Sequence, residues 1–347
     1  MGLEASPTTT RVLFDFNNLA FRCVHIGLDK GSADSAWSLI SYAIFNQIVN
    51  FLDECMEFMD VGDRLEVVLA LDSTSGYWRR DIYPPYKADR AMKRSQSDID
   101  WDRAYAEFEK LTAAISEFTP WRVLKVNKCE ADDIIYTLTV MDDKPSIIYS
   151  SDSDYLQLVS DNVVVYQPHK AVYAEFPMMC KFSGGEVVCR DTEEFLRYAI
   201  LTGQGGKDNV YNVKTPADWQ ADASHKRKPG FGIKAATNYV SADNMLERLE
   251  HDGLLSNYER NRTLIDMRCL SAELQAEICR AYNAVPRHGV DMYGFLNVYN
   301  WPSMLSSPGE IQHRLMVFDA GKEPALERCE PEPPSPVDSV AMGFCID

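Results

Sequence analysis

Histidine is scarce in this chain and cysteine is scattered. Its 347 residues hold six histidines and nine cysteines. There is no H-E-x-x-H or other close histidine spacing, and no C-x-x-C pair. The cysteines are odd in number: Cys23, Cys55, Cys129, Cys180, Cys189, Cys269, Cys279, Cys329 and Cys345. This argues against a disulfide framework and a zinc ribbon, and the expected setting is a reducing cytoplasm. No apolar run approaches the roughly 20 residues of a membrane helix. Met1 to Thr10 lacks a basic-then-apolar pattern, so no secretory signal is expected. Basic residues are in deficit, 35 against 52 acids, for a net charge of −17. Taken alone, that balance argues against a phosphate-backbone partner. Net charge does not say where the charges sit, and here their placement decides.

The first two hundred residues alternate strand-like and helix-like stretches. Arg11–Phe16, Leu65–Leu71, Trp121–Val126, Pro145–Ser150 and Val163–Tyr166 read as strands. Ser35–Met59 and Ala131–Met141 read as helices between them. Such alternation predicts an α/β fold with a mostly parallel central sheet flanked by helices. The pattern breaks at 77–103, a basic insertion with Pro84 and Pro85 at its middle. Such long insertions are usually functional or disordered. After about Thr192 only helical stretches follow, Glu193–Leu201, Ile233–Val240, Tyr258–Leu270 and Ser271–Tyr282. The expected organisation is a core at 11–192, a helical extension at 193–318 and an acidic, Pro-rich disordered tail at 319–347.

Four of the strands run into acids. Asp15 ends the first, Asp72 the second, and Asp152 and Asp154 follow the fourth. Glu130, Asp132 and Asp133 follow the third. In a parallel sheet the C-terminal strand ends share one edge, where ligands bind. Two carboxylates 4 Å apart at an effective dielectric of 20 repel by roughly 4 kcal/mol. So many acids in one cleft call for cations. An all-oxygen donor set favours Mg²⁺ or Mn²⁺ over zinc. Two such ions can clamp the attacking and leaving oxygens of a phosphodiester. For any single Asp the competing reading is a turn former or helix cap.

Two basic segments complement the acids. The stretch Gly76–Lys87 reads GYWRRDIYPPYK, and the insertion carries Arg79, Arg80, Lys87, Arg90, Lys93, Arg94 and Arg103. Arginines beside aromatics suit a phosphate and a stacked base. Lys87 and Arg90 can neutralise charge on a phosphate in reaction. Further on, KRKPGFGIKAATNYV brings Lys226, Arg227, Lys228, Gly230, Gly232 and Lys234 ahead of or into a helix. Such a turn points free backbone N–H groups at a phosphate. Alone, either segment is equally a solvated surface loop or an ordinary Gly turn.

With these residues in place, the chain resembles the flap endonuclease and 5′-nuclease superfamily, and within it the ribonuclease H branch of T-even phages. The resemblance runs from about Arg11 to Met304. It rests on the ordered set SGYWRRD (Ser75–Asp81), EADD (Glu130–Asp133), SSDSD (Ser150–Asp154) and KDNV (Lys207–Val210). It implies a PIN-like nuclease core and a helix-three-turn-helix that grips duplex DNA around K⁺. It implies a first metal at Asp15, Asp72, Asp132 and Asp152 with Glu130 nearby. A second metal is implied at Asp133, Asp154 and Asp208, largely through water. The insertion corresponds to the helical arch, with Tyr86, Lys87 and Arg90 at its base and Lys87, Arg90 and Asp132 in catalytic roles. Arg79 and Arg80 have two readings, DNA contact and structural ion pairing. The implied activity is Mg²⁺-dependent 5′-3′ exonuclease and flap endonuclease cleavage of RNA–DNA and DNA–DNA duplexes. That chemistry removes RNA primers in lagging-strand replication. For a phage-encoded chain the location is the host cytoplasm.

One departure stands out. The superfamily shows G-D-x-x-D-N, whereas this chain reads Gly203-Gln204-Gly205-Gly206-Lys207-Asp208-Asn209. The first acid is missing and one residue is extra, which weakens the second metal. A catalytically silent DNA-junction binder therefore stays open. So does an Asp-cluster phosphotransferase or phosphatase, although Asp15 is followed by Phe16 and Asn17 with no D-x-D nucleophile. The apolar end of the tail, Val340–Ile346, is a candidate for docking on a sliding clamp or a single-stranded-DNA-binding protein.

Overall fold

The computed structural model describes residues 7–28, 34–216, 219, 229–299, 301, 304 and 307–321. A six-stranded sheet lies at its centre, in the order β3-β2-β1-β4-β5-β6. β1 (Thr9–Asp15) leads without a loop into α1 (Phe16–Leu28), and α2 (Asp34–Glu57) returns the chain to β2 (Arg64–Leu71). Three helices follow: α3 (Trp78–Ile82), α4 (Arg90–Ser95) and α5 (Trp101–Phe118). Then come β3 (Arg122–Lys125), α6 (Ala131–Val140), β4 (Ser146–Tyr149) and β5 (Val163–Gln167). β1 to β5 are parallel, and β6 (Val172–Tyr173) closes the edge antiparallel. The near-continuous apolar runs VLF and LEVVLAL are what a strand covered on both faces requires. Alternation across β1 divides the core accordingly. Leu13 joins the cluster containing Ile135 and Leu201, while Val12 and Phe14 join the one containing Phe45 and Trp121.

The chain fills β2 and β3 on one side of β1 and then crosses to β4 and β5 on the other. The strand order therefore reverses between β1 and β4, where a doubly wound sheet opens its crevice. Asp15 and Asp152 flank that point.

Two features escape the sequence reading. α1 carries Phe16, Leu19, Ala20, Cys23 and Val24 on its buried face, a helical spacing. Its first turn holds Asn17 and Asn18, residues common in loops, and these mask the period. The second feature is a hairpin, β7 (Met178–Phe182) and β8 (Gly185–Cys189), whose strands are short and partly exposed. At its turn Gly184 has φ +94°, and a Cβ there would meet the Gly232 backbone at 3.0 Å.

Beyond the hairpin come α7 (Thr192–Thr202), α8 (Ile233–Val240) and further helices up to Pro308–Ala320. They have no separate core. Phe195, Ile265 and Ile278 pack with the sheet cluster of Leu13, and Phe295, Trp301 and Leu315 pack with that of Phe45. No helix among the described residues is long and apolar enough to cross a membrane. The tail reading for 319–347 falls almost wholly outside the described residues, as do Lys226, Arg227 and Lys228.

Candidate metal and nucleic-acid site

Asp15, Asp72, Asp132 and Asp152 line one cleft at the C-terminal edge of the sheet. Lys87, Arg90, Lys93 and Arg94 line it as well. Each acid is held by its own element. Asp15 accepts from Asn18 N–H at 3.0 Å, Tyr155 hydroxyl at 3.1 Å and Ser150 hydroxyl at 3.2 Å. Asp72 accepts the Ala131 N–H at 2.9 Å, so the free first turn of α6 fixes the end of β2. Asp132 keeps a side chain 21% exposed, with Arg79 3.4 Å away.

The electrostatics ask for a cation. Burial raises the Asp15 pKa from 3.8 to about 7, with Asp72 and Asp152 adding repulsion and Asn18 N–H and Tyr155 opposing it. Asp72 is raised by burial and then by Glu130. Burial also pushes Asp132 well up against the pull of Arg79, with Asp133 and Glu130 repelling it. Asp15, Asp72 and Asp132 are desolvated, mutually repelling oxygen donors, and a hard divalent ion would relieve both costs; burial would raise Asp152 too, but Lys207 pulls it down. A carboxyl with a raised folded-state pKa favours folding below its unfolded pKa and loses that contribution as pH rises past the folded one. For Asp15 the loss spans about pH 4 to 7 and levels off above that. The Asp72→Asn variant is therefore expected to stabilise the metal-free protein at pH 8 by about 1 kcal/mol, because it removes one repelling charge. The gain should shrink towards pH 5. Thermal unfolding in chelator at both pH values checks this, and a variant less stable than wild type at pH 8 contradicts it.

Three residues expected at the metals or on DNA are buried in ion pairs with one another. Arg79 is 1% exposed. Its guanidinium lies 2.7 Å from Glu130 and 2.9 Å from Asp133, and Nε donates to the Leu264 carbonyl at 3.0 Å. It is the centre of a buried ion-pair group. Asp133 is fully buried and accepts Trp78 Nε1 at 3.0 Å and the Glu130 N–H at 2.9 Å. It caps α6 from inside, paired with the Arg79 guanidinium 2.9 Å away. Glu130 is 1% exposed and bonded to Lys87, Arg79 and Tyr86. Burial would raise its pKa, but Lys87 and then Arg79 pull it down to about 2. Glu130, Asp132 and Asp133 do lie close enough to form a three-acid group. Two of the three, Glu130 and Asp133, already face the buried cations Lys87 and Arg79.

The base of the insertion is locked to the KDN segment. Lys87 N–H donates to the Asp208 carbonyl at 3.0 Å, and Arg90 pairs with the Asp208 carboxylate at 2.7 Å. Asn209 Nδ2 donates to Pro85 carbonyl and Asp89, each at 3.0 Å. Asn209 sits at φ 62°, a left-handed conformation that asparagine tolerates. Asp208 is thus 2% exposed and committed to Arg90. Arg80 donates to the Tyr86 and Lys87 carbonyls, both at 3.0 Å, and so shapes the loop itself. Tyr86 is buried against Glu130. Lys93 and Arg94 remain on α4 at the mouth of the cleft.

Lys207 enters the sequence reading only as the first residue of the KDNV motif, with no role assigned to it. Its ammonium lies 2.5 Å from Asp152 and 2.7 Å from Asp154. Gln204 Nε2 donates to Asp154 at 2.6 Å. The only sequence signal was the lysine beside the missing acid. At the Gly-rich turn, Gly230 precedes the buried Phe231, Gly232 caps α8, and Lys234 is exposed in its first turn.

A doubly wound sheet with an acidic crevice at its switch point and basic residues across the opening defines a metal-site hydrolase architecture of the nuclease type. The comparisons give the family. A family model described as "5'-3' exonuclease, N-terminal resolvase-like domain" matches residues 10–183, half of the chain, and the chain belongs to that family. Ribonuclease H of Enterobacteria phage T4 is 28% identical over 225 residues, covering 63% of this chain and 70% of that protein. DNA polymerase I of Mycobacterium tuberculosis is 26% identical over 282 residues, 76% of this chain but 27% of the polymerase. In fold, the chain resembles the T5 5′-exonuclease with bound zinc, at a TM-score of 0.54 and 15% identity over 80% of this chain and 99% of that one.

Proposed function

We propose that this chain is a divalent-metal-dependent 5′ nuclease that hydrolyses phosphodiesters at the 5′ ends and flaps of RNA–DNA and DNA–DNA duplexes. The observation that carries the reading is the cleft itself: Asp15, Asp72, Asp132 and Asp152 converge at the sheet edge with Arg90, Lys93 and Arg94 facing them. Those four acids fit Mg²⁺ or Mn²⁺ by their oxygen donors, and burial with acid–acid repulsion raises Asp15, Asp72 and Asp132. Such an ion, when bound, supplies an activated water and neutralises charge on the phosphoryl oxygens.

The chain's own residues do the rest. Tyr155, Ser150 and Asn18 orient Asp15, and the α6 N-terminus orients Asp72. Arg90 keeps a side chain 29% exposed beside Asp208, so its remaining N–H groups can reach a phosphate. Lys87 holds Glu130 ionised and keeps positive charge at the cleft wall. Lys93 and Arg94 draw the 5′ strand towards the acids, and Lys234 with the Gly230–Gly232 turn supports the duplex by its backbone alone. Selection is then by shape, and removal of RNA primers is the biological task that fits it.

A 5′-labelled flap duplex and a labelled RNA–DNA hybrid, incubated with Mg²⁺, test the reading by their products. Short 5′-phosphorylated fragments are expected from both. Release of inorganic phosphate with the backbone intact would assign the cleft to a phosphomonoester instead.

A further inference from the structure

We propose that the Lys207 ammonium stands where a second divalent cation would sit, so that this cleft takes up one metal ion and not two. The inference rests on the nuclease reading above and concerns how that site is charged.

Lys207 Nζ reaches both oxygens of Asp152, at 2.7 and 2.5 Å, and one oxygen of Asp154 at 2.7 Å. The other Asp154 oxygen takes the Gln204 amide at 2.6 Å. An ammonium bridging two carboxylates is a fixed positive charge between them. A divalent ion entering that position would meet the ammonium within contact distance, and like charges that close repel strongly. Gln204 adds to the exclusion, because its amide presents a donor to Asp154 where an acid would present a ligand. Asp152 still serves the first site, since a carboxylate has about four lone-pair positions.

The placement of Lys207 is built into the loop. Gly203 has φ +65°, and a Cβ there would come within 2.4 Å of the Val210 carbonyl oxygen, so only glycine fits the entry to the turn. Gln204 N–H donates to the Val210 carbonyl at 2.6 Å, and its own carbonyl accepts the Lys207 and Asp208 N–H groups at 3.1 and 2.8 Å. This closed turn carries Gln204 and Lys207 to the same pair of acids. The other acids of a second site are spent elsewhere: Asp208 pairs with Arg90, and Asp133 with Arg79 and Trp78.

The test counts Mn²⁺ bound by the full chain, stripped of metal by chelator and titrated to millimolar Mn²⁺ with free ion read by electron paramagnetic resonance. Wild type should bind one ion. Lys207→Met keeps the apolar stem without the charge and should bind two. Gln204→Asp combined with Lys207→Met should bind two, with the second at least tenfold tighter than in Lys207→Met alone. Lys207→Arg keeps the charge and should bind one, with thermal unfolding confirming that each variant is folded. Two ions in wild type would overturn the inference and leave the nuclease reading standing. One ion in wild type and in both charge-removing variants would also overturn it. No ion bound to wild type would overturn both.

Discussion

The Asp132→Asn variant is expected to lose at least about a thousandfold in turnover of a 5′-flap duplex, equivalent to roughly 4 kcal/mol of transition-state stabilisation. Asp132 lies at the cleft with its side chain 21% exposed, and Arg79 is 3.4 Å away. The isosteric amide therefore leaves packing almost unchanged. It removes a negative charge where a hard cation needs one. Duplex affinity, which the proposed function assigns to Arg90, Lys93, Arg94 and the helical extension, should stay within about threefold of wild type. Single-turnover cleavage and a binding titration on the same substrate measure both. Near-normal turnover would remove Asp132 from the metal set.

Arg79→Met should act on stability. The guanidinium is 1% exposed and neutralises Glu130 and Asp133, which are themselves buried. Taking out one member of such a group leaves charges with no partner and no water, a loss of about 3–5 kcal/mol. Urea unfolding should show that loss. Arg79→Lys should recover only part of it, because an ammonium cannot match the planar fork that spans Glu130, Asp133 and the Leu264 carbonyl. A loss under about 1 kcal/mol with weakened duplex binding would return Arg79 to the DNA contacts.

What the sequence made legible follows from which signals are local. The strands β1, β2 and β4 are short apolar runs closed by acids, and a parallel sheet places such ends on one edge whatever the loops do. That is why Asp15, Asp72, Asp132 and Asp152 meet as the spacing suggested. In the EADD motif all the acids look alike in one dimension. On α6, Asp132 faces the cleft, while Asp133, one residue on, points into the core beneath Trp78. Only the position of Arg79, 54 residues earlier, separates the two roles. Lys207 was hidden for the same reason: its partners are 53 and 55 residues away. The hairpin β7–β8 was invisible because its partly exposed strands carry no clean alternation. The close approach of Gly184 to Gly232 that seats it is a contact between distant glycines.

The most direct test of the central claim is cleavage of one labelled 5′-flap duplex by the wild-type chain under three conditions: Mg²⁺, chelator, and chelator followed by excess Mg²⁺. The account predicts short 5′-phosphorylated products in the first, none in the second and full recovery in the third, with the duplex bound throughout. Cleavage that persists in chelator, or an uncut but bound duplex in Mg²⁺ and in Mn²⁺ alike, would contradict it.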